Sequence, residues 1–183
     1  MLRLFAALAL PPDISEGLKR HQTGLVGARW RPEEALHITL AFYGEMDRHR
    51  AEDLAAELSR IHQSPFSLEL AGVGAFDDGS GQSRSSSARA VWAGLEASEP
   101  LVLLASRARA AGQRAGLRME ARRYVPHVTL AYLKGTPDDR LAAWITGHNR
   151  LHSPSFRVDR FGLYSSELTH AGSHYTLLRE YLL

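Results

Sequence analysis

The chain has 183 residues, 44% hydrophobic and 23% charged, and its 22 basic against 20 acidic side chains give a formal charge of +2. These proportions, with 15 glycines and 8 prolines, are typical of a globular protein long enough to bury a core, and they exclude collagen and disorder. The absence of cysteine excludes disulfides, thiolate nucleophiles and cysteine-ligated metal centres, and no apolar run reaches the roughly 18 residues of a membrane-spanning helix.

The apolar run at residues 4–10 predicts a buried strand of about 7 residues. A short signal peptide is the alternative, but the run is at the lower limit of length for one, and Pro11 begins a new element. The elements that follow in chain order are a helix from a cap at Asp13 or Ser15 toward Leu25, strand 36–43 ending at Gly44, helix 47–62, strands 66–73 and 88–95, helix 100–115, strand 125–133, helix 138–145, and strands 155–164 and 174–182. Residues 77–87 are rich in serine and glycine and predict a flexible loop, which leaves open whether it covers a cleft. Strands and helices that mix without strict alternation favour the α+β class.

One segment of the chain occurs twice. His37-Ile38-Thr39-Leu40-Ala41-Phe42 matches His127-Val128-Thr129-Leu130-Ala131-Tyr132 at four identical and two conservative positions, and each copy is a predicted strand followed by a glycine. The simplest interpretation is two pseudo-symmetric lobes, each with one equivalent strand.

Side chains two apart on a strand share a face, so each copy presents a histidine and a threonine on the face opposite its apolar residues. If the lobes face one another, two imidazoles and two hydroxyls converge on one cleft. A pair of imidazoles supplies one general base and one general acid near neutral pH, and hydroxyls donate to anionic oxygens between them. This combination suits in-line displacement at a phosphodiester. A single His-x-Thr would most simply be a strand histidine with its hydrogen bonds made, and only the duplication makes the signal specific.

The paired motifs resemble the two-histidine phosphoesterase superfamily, and in particular the RNA 2',3'-cyclic phosphodiesterases also called bacterial 2'-5' RNA ligases. The likeness covers most of the chain. The other segments that resemble the family are the first strand at residues 2–11, the lead into the first motif at 29–36, the middle hairpin at 72–76 and 91–95, and Pro126 before the second motif.

The resemblance implies an α+β, bilobal, pseudo-symmetric fold, with two antiparallel sheets flanking a central cleft and helices outside, in one two-lobed domain over residues 1–183. It implies hydrolysis of a terminal ribose 2',3'-cyclic phosphate to a 2'-phosphate without a metal or other cofactor. His37 would be the proton donor and His127 the proton acceptor, while Thr39 and Thr129 would bind the phosphate. Formation of a 2'-5' linkage would reuse the same groups in reverse.

The chain departs from the family at Tyr132, where an arginine is common. Strand alternation puts Tyr132 on the apolar face unless the strand bends, so a core position and a role in base stacking or hydrogen bonding both stay open. Arg122 or Arg123 can supply the missing charge, although exposed solubilising arginines are the simpler interpretation. Tyr132, Arg123 and Phe42 are the predicted substrate-binding residues.

Nearly all the positive charge is arginine, since Lys19 and Lys134 are the only lysines. Arginine suits phosphate, yet a compositional bias explains the count equally well. The expected partner is an RNA or oligonucleotide end with a 2',3'-cyclic phosphate, and we expect a cytoplasmic monomer that binds no membrane. Two alternatives stay open: a non-catalytic RNA- or nucleotide-binding module, and an enzyme for small cyclic nucleotides or 2',5'-oligonucleotides.

Overall fold

The structure is a computed structural model that describes residues 1–76, 89–119, 123–169 and 172–183. The strands are β1 (Leu2–Ala9), β2 (Ala28–Trp30), β3 (His37–Met46), β4 (Phe66–Leu68), β5 (Leu70–Phe76), β6 (Arg89–Leu95), β7 (Val128–Leu133), β8 (Phe156–Val158), β9 (Arg160–Thr169) and β10 (Gly172–Leu182). The helices are α1 (Pro12–Lys19), α2 (Arg48–Leu58), α3 (Glu99–Arg114) and α4 (Asp138–His148), and a 3-10 turn spans Glu33–Ala35. Within these ranges no helix is long and apolar enough to span a membrane.

Eight strands form one antiparallel sheet in the order β10-β9-β1-β3-β7-β6-β5, and β2 pairs with β7 beside β3. A second, two-stranded sheet is made by β4 and β8. The predicted α+β class with antiparallel sheets is therefore confirmed. The structure adds that the two motif strands, β3 and β7, are direct neighbours at the centre of the large sheet, so both halves share it.

The apolar residues of the two motifs form the centre of the core. Ile38, Leu40, Val128 and Leu130 are at most 4% exposed, as alternation along the strands predicts. Each such side chain contributes about 1.5–3 kcal/mol relative to an exposed position. Helix α3 packs against β3 here, and the Tyr43 hydroxyl donates to the carbonyl of Ala108 at 3.0 Å. This packing fixes the two central strands from the side opposite the histidines.

Both motif strands carry a β-bulge at the same place. On β3, Thr39 and Ala41 pair with adjacent residues of β1, which leaves Leu40 as the extra residue. On β7, Thr129 and Ala131 pair with adjacent residues of β6 in the same way. A bulge changes which face the following side chains occupy. Strict alternation, which the sequence analysis assumed, is therefore wrong beyond each threonine.

The first helix differs from its prediction at both ends. It begins at Pro12, because proline fits the first helical position, and neither Asp13 nor Ser15 caps it. The Ser15 hydroxyl instead donates to Glu33 at 3.0 Å. The helix ends at Lys19, so Leu25 lies in the segment after the helix, where it is buried in the core.

Strand β3, which carries the first motif, is longer than predicted. Gly44 does not end it, since the strand continues to Met46 with Gly44 at a φ of +76° opposite Leu4. Only glycine adopts this backbone conformation without strain. Strand β2 was not predicted, because three residues are too few to show a periodic pattern.

Candidate active site

All four predicted site residues lie on one face of β3 and β7. Ile38 pairs antiparallel with Val128, and this register sets His37 opposite Thr129 and Thr39 opposite His127. All four side chains are partly buried rather than enclosed in the core. The two histidines occupy diagonal corners of this patch, at a Cα separation of about 7–8 Å for such neighbours.

Both imidazoles are held in the same way. Nδ1 of His37 lies 2.9 Å from the carbonyl oxygen of Ala35, and Nδ1 of His127 lies 2.7 Å from that of Val125. A carbonyl oxygen only accepts, so Nδ1 carries the proton and donates in each case. The other nitrogen, Nε2, is left to exchange protons with a ligand. The duplication therefore preserves the orientation and tautomer of each ring as well as the residue type.

Burial lowers the pKa of both histidines. It lowers the pKa of His37 to about 4, against the opposing effect of the Ala35 hydrogen bond, and the charges of Arg31 and His127 lower it further. Burial also lowers the pKa of His127, while the Val125 hydrogen bond opposes it. Both rings are consequently neutral at pH 7 in the free protein, and an anion is what would favour their protonated forms.

Aromatic rings flank each histidine. The His37 ring lies 5.0 Å from the Phe5 ring and 5.1 Å from the Tyr175 ring, which it meets edge-on at 90°. The His127 ring lies 4.7 Å from the Phe76 ring at 80° and 6.4 Å from the Trp92 ring. These rings exclude water from the sides of the imidazoles, which accounts for the burial that lowers their pKa values.

The bulges bring Phe42 and Tyr132 to the face that carries the histidines. Phe42 is 67% exposed and Tyr132 is 41% exposed, whereas the neighbouring Ala41 and Ala131 are buried. The core position that alternation allowed for Tyr132 is therefore wrong. Each half of the site has one exposed ring, and the two rings lie at equivalent positions of the repeat.

A buried arginine that the sequence analysis did not select lies beside the site. Arg31 follows β2, and its Nη2 donates to the Tyr175 hydroxyl at 3.0 Å. Arg123 has an exposed side chain, and no described contact joins it to either histidine. Arg122 and the predicted loop at 77–87 lie outside the described residues. The contact between Arg31 and Tyr175 spans 144 positions, so no local pattern could have predicted it.

The two threonines of the motifs provide hydroxyl groups beside the histidines. Within the part of the chain that the structure describes, no hydrogen bond is made by the hydroxyl of Thr39 or Thr129; the Thr39 carbonyl accepts from Tyr124 at 3.0 Å. These hydroxyls are thus available to donate to phosphate oxygens. The same ranges contain no group of three side chains suited to hold a metal ion.

A family model of the 2'-5' RNA ligase superfamily matches residues 10–169. The chain belongs to this superfamily. It is 31% identical to the RNA 2',3'-cyclic phosphodiesterase of Thermotoga maritima, covering 98% of this chain and 94% of the relative. The enzymes of that name from Escherichia coli and Thermus thermophilus are 31% and 33% identical, covering 99% and 100% of this chain and 96% and 90% of the relatives.

Solved structures of the superfamily share the fold. Escherichia coli LigT complexed with 3'-AMP has a TM-score of 0.78 at 27% identity, covering all of this chain and 98% of that chain. LigT complexed with phosphate has a TM-score of 0.72 at 25% identity, covering all of this chain and 97% of that chain. The predicted family resemblance is thereby confirmed over essentially the whole chain.

Proposed function

We propose that this protein is an RNA 2',3'-cyclic phosphodiesterase that opens a terminal ribose 2',3'-cyclic phosphate to a 2'-phosphate. The observation that carries the proposal is the matched pair His37 and His127, both held through Nδ1 on one face of adjacent strands. Three relatives similar over nearly the whole chain are named for this activity, which supports the same substrate class.

The proposed reaction is one in-line displacement. Nε2 of His127 takes a proton from water, whose oxygen attacks phosphorus, and the bond from phosphorus to O3' breaks. Nε2 of His37 delivers a proton to the departing O3', which becomes the 3'-hydroxyl beside a 2'-phosphate. Thr39 and Thr129 donate to the non-bridging oxygens, where negative charge develops. The donor and acceptor roles follow the family resemblance, and the reverse sequence would form a 2'-5' linkage.

The electrostatics of the cleft impose a condition on this reaction. A general acid must carry a proton, yet burial lowers the pKa of His37 to about 4 in the free protein. The negative charge of a bound phosphate raises the pKa of an adjacent imidazole. Protonation of His37 is therefore coupled to substrate binding, and the profile of turnover against pH is bell-shaped.

The exposed rings of Phe42 and Tyr132 are the proposed contacts for bases. Each lies on the catalytic face beyond its threonine, and exposed aromatic rings stack on the unpaired bases of single-stranded RNA. Arg123, which is also exposed, is proposed to meet the RNA backbone. We place the enzyme in the cytoplasm as a monomer that acts on RNA or oligonucleotide ends, away from membranes.

The test is hydrolysis of a 2',3'-cyclic mononucleotide and of a short RNA that ends in a 2',3'-cyclic phosphate, both with excess chelator. We expect a 2'-phosphate product from both substrates and no effect of the chelator. Loss of activity on chelation would contradict the mechanism. Stabilisation of the fold by a 2'-phosphorylated nucleotide without product would instead identify a binding module, and turnover of the mononucleotide alone would identify an enzyme for small cyclic nucleotides.

A further inference from the structure

Arg31 is a buried cation fixed at the His37 end of the site. The residue is 5% exposed. Its backbone amide donates to the carbonyl of Leu130, the extra residue in the β7 bulge, at 2.8 Å. Its own carbonyl accepts from Gln22 Nε2 at 2.8 Å. The amide is therefore anchored directly to the strand that carries the second motif, and the carbonyl is anchored through Gln22, which also donates to the carbonyl of Leu130 at 3.2 Å.

Two tyrosine rings hold the guanidinium. The central carbon of the Arg31 guanidinium lies over the Tyr132 ring at 5.5 Å and over the Tyr175 ring at 5.4 Å. Tyr175 also accepts a hydrogen bond from Nη2 and contacts the His37 ring. Tyr175 thus connects the cation to the imidazole, and Tyr132 covers the cation from the exposed side of the site.

The hydrogen bonds of this guanidinium are incomplete. It has five N–H donors. Among the described residues the Tyr175 hydroxyl is its one side-chain acceptor, and no carboxylate there forms an ion pair with it. None of its spare donors is both buried and unpartnered, so these N–H groups are accessible to an anion. Its planar fork matches two oxygens of a phosphate.

The charge of Arg31 also reaches the reacting end of the cleft. It lowers the pKa of His37, and its effect is larger than that of His127. A cation that acts on the imidazole across Tyr175 is close enough to attract the same anion as the imidazole. On β7, Tyr132 stands where an arginine is common in the family, and it provides an aromatic ring without a charge.

We propose that Arg31 binds a phosphate oxygen of the substrate, supplying from the end of β2 the cation that Tyr132 does not provide on β7. This inference rests on the proposed function. The phosphate is either the reacting cyclic phosphate or the adjoining phosphodiester of the RNA. A cyclic mononucleotide contains only the first, whereas a dinucleotide contains both. Tyr132 and Tyr175 act as positioning residues that hold the guanidinium.

The experiment compares Arg31→Gln with Arg31→Lys, which keeps the charge. Thermal unfolding is measured with inorganic phosphate and with sodium chloride at equal ionic strength, and KM and kcat are measured for a 2',3'-cyclic mononucleotide and for a dinucleotide that ends in a 2',3'-cyclic phosphate. We expect Arg31→Gln to lose the stabilisation by phosphate and to raise KM on the order of 10- to 100-fold. Arg31→Lys keeps the charge but not the planar fork, and it should keep part of the stabilisation by phosphate.

Each result bears on the inference. A higher KM for both substrates assigns Arg31 to the reacting phosphate, and a higher KM for the dinucleotide alone assigns it to the adjoining phosphodiester. Wild-type KM values and a full phosphate effect in Arg31→Gln would overturn the inference. So would an Arg31→Gln variant that unfolds at a lower temperature in buffer and still shows the full phosphate effect, because the arginine would then serve only the ring stack.

Two further measurements keep the test decisive. Should Arg31→Gln fail to fold, Tyr175→Phe removes the hydroxyl that orients the guanidinium and keeps the ring, and an unchanged KM in that variant would overturn the inference. The phosphate effect needs no turnover. A wild-type protein that phosphate stabilises through Arg31, and that hydrolyses no cyclic phosphate, would refute the proposed function and leave the anion site standing.

Discussion

Ile38 and Val128, the middle residues of the two His-x-Thr triplets, pair with each other across β3 and β7. Antiparallel pairing at these residues relates the strands by a local two-fold axis that passes between them. The axis exchanges His37 with His127, and the matched Nδ1 hydrogen bonds follow the same symmetry. The duplicated sequence thus places both imidazoles around one axis, and in the proposed function both act on a single phosphate.

The proposed acid and base can be distinguished by the leaving group. Sulfur in place of O3' departs as a thiolate, which needs no proton from the enzyme because a thiol is much more acidic than an alcohol. We therefore expect His37→Ala to recover a large share of wild-type turnover on the 3'-thio cyclic phosphate. His127→Ala should stay inactive on both substrates. The opposite pattern in a turnover assay would exchange the two roles.

Acid should destabilise the fold through His37. Its pKa is about 4 when folded and 6.5 as the ordinary value, so between these pH values the unfolded chain binds a proton that the folded chain does not. Stability is therefore lost as the pH falls from 6.5 to 4, by up to about 3 kcal/mol for this group. Urea unfolding at pH 7 and at pH 4.5 measures the loss, which His37→Gln should show to a smaller extent. An equal loss in both proteins would contradict the assigned burial of the ring.

Gly74 on β5 should matter for the ring that flanks His127. A methyl group at this position would overlap the Trp92 ring, which lies against Gly74 on one side and near His127 on the other. We expect Gly74→Ala to destabilise the fold by about 1–3 kcal/mol and to lower turnover as the ring shifts. Gly147→Ala is the control, since nothing lies within 4 Å of an added methyl group there and Gly147 is exposed on helix α4. Urea unfolding with equal effects of the two substitutions would argue against this packing.

Tyr132 and Phe42 should discriminate RNA from mononucleotides. If their rings stack on bases, Tyr132→Ala and Phe42→Ala raise KM for an oligonucleotide by the equivalent of about 1–3 kcal/mol per base. Tyr132→Phe keeps the ring and should keep the KM. Steady-state kinetics on both substrate lengths measures the difference. The stacking role fails if the alanine variants bind oligonucleotides as the wild type does.

The sequence alone was sufficient to group the four residues of the candidate site. His37 and Thr39 recur as His127 and Thr129, and period-two alternation correctly assigns each pair to the face opposite the buried residues. Alternation says which face a side chain occupies, but not which strands are neighbours. The direct pairing of β3 with β7 therefore had to come from the structure.

The site features that the sequence did not predict depend on β-bulges and on contacts between residues far apart in the chain. Strand alternation placed Tyr132 with the core, whereas the extra residue Leu130 turns it to the catalytic face. Arg31 lies beyond a strand of only three residues, and its partner Tyr175 is on β10, near the other end of the chain. A single extra residue and a contact over such a separation leave no periodic trace in the sequence.

The central claim, that His37 and His127 act on one phosphate, is tested most directly by turnover of a 2',3'-cyclic nucleotide in a double-mutant cycle. Each single alanine variant should lose on the order of 100-fold or more, and the double variant should lose little beyond either one, because the two groups act as a unit. The exposed His49, substituted by alanine, is the control and should keep the wild-type rate. Full activity in either single variant, or losses that simply multiply in the double variant, would contradict the claim.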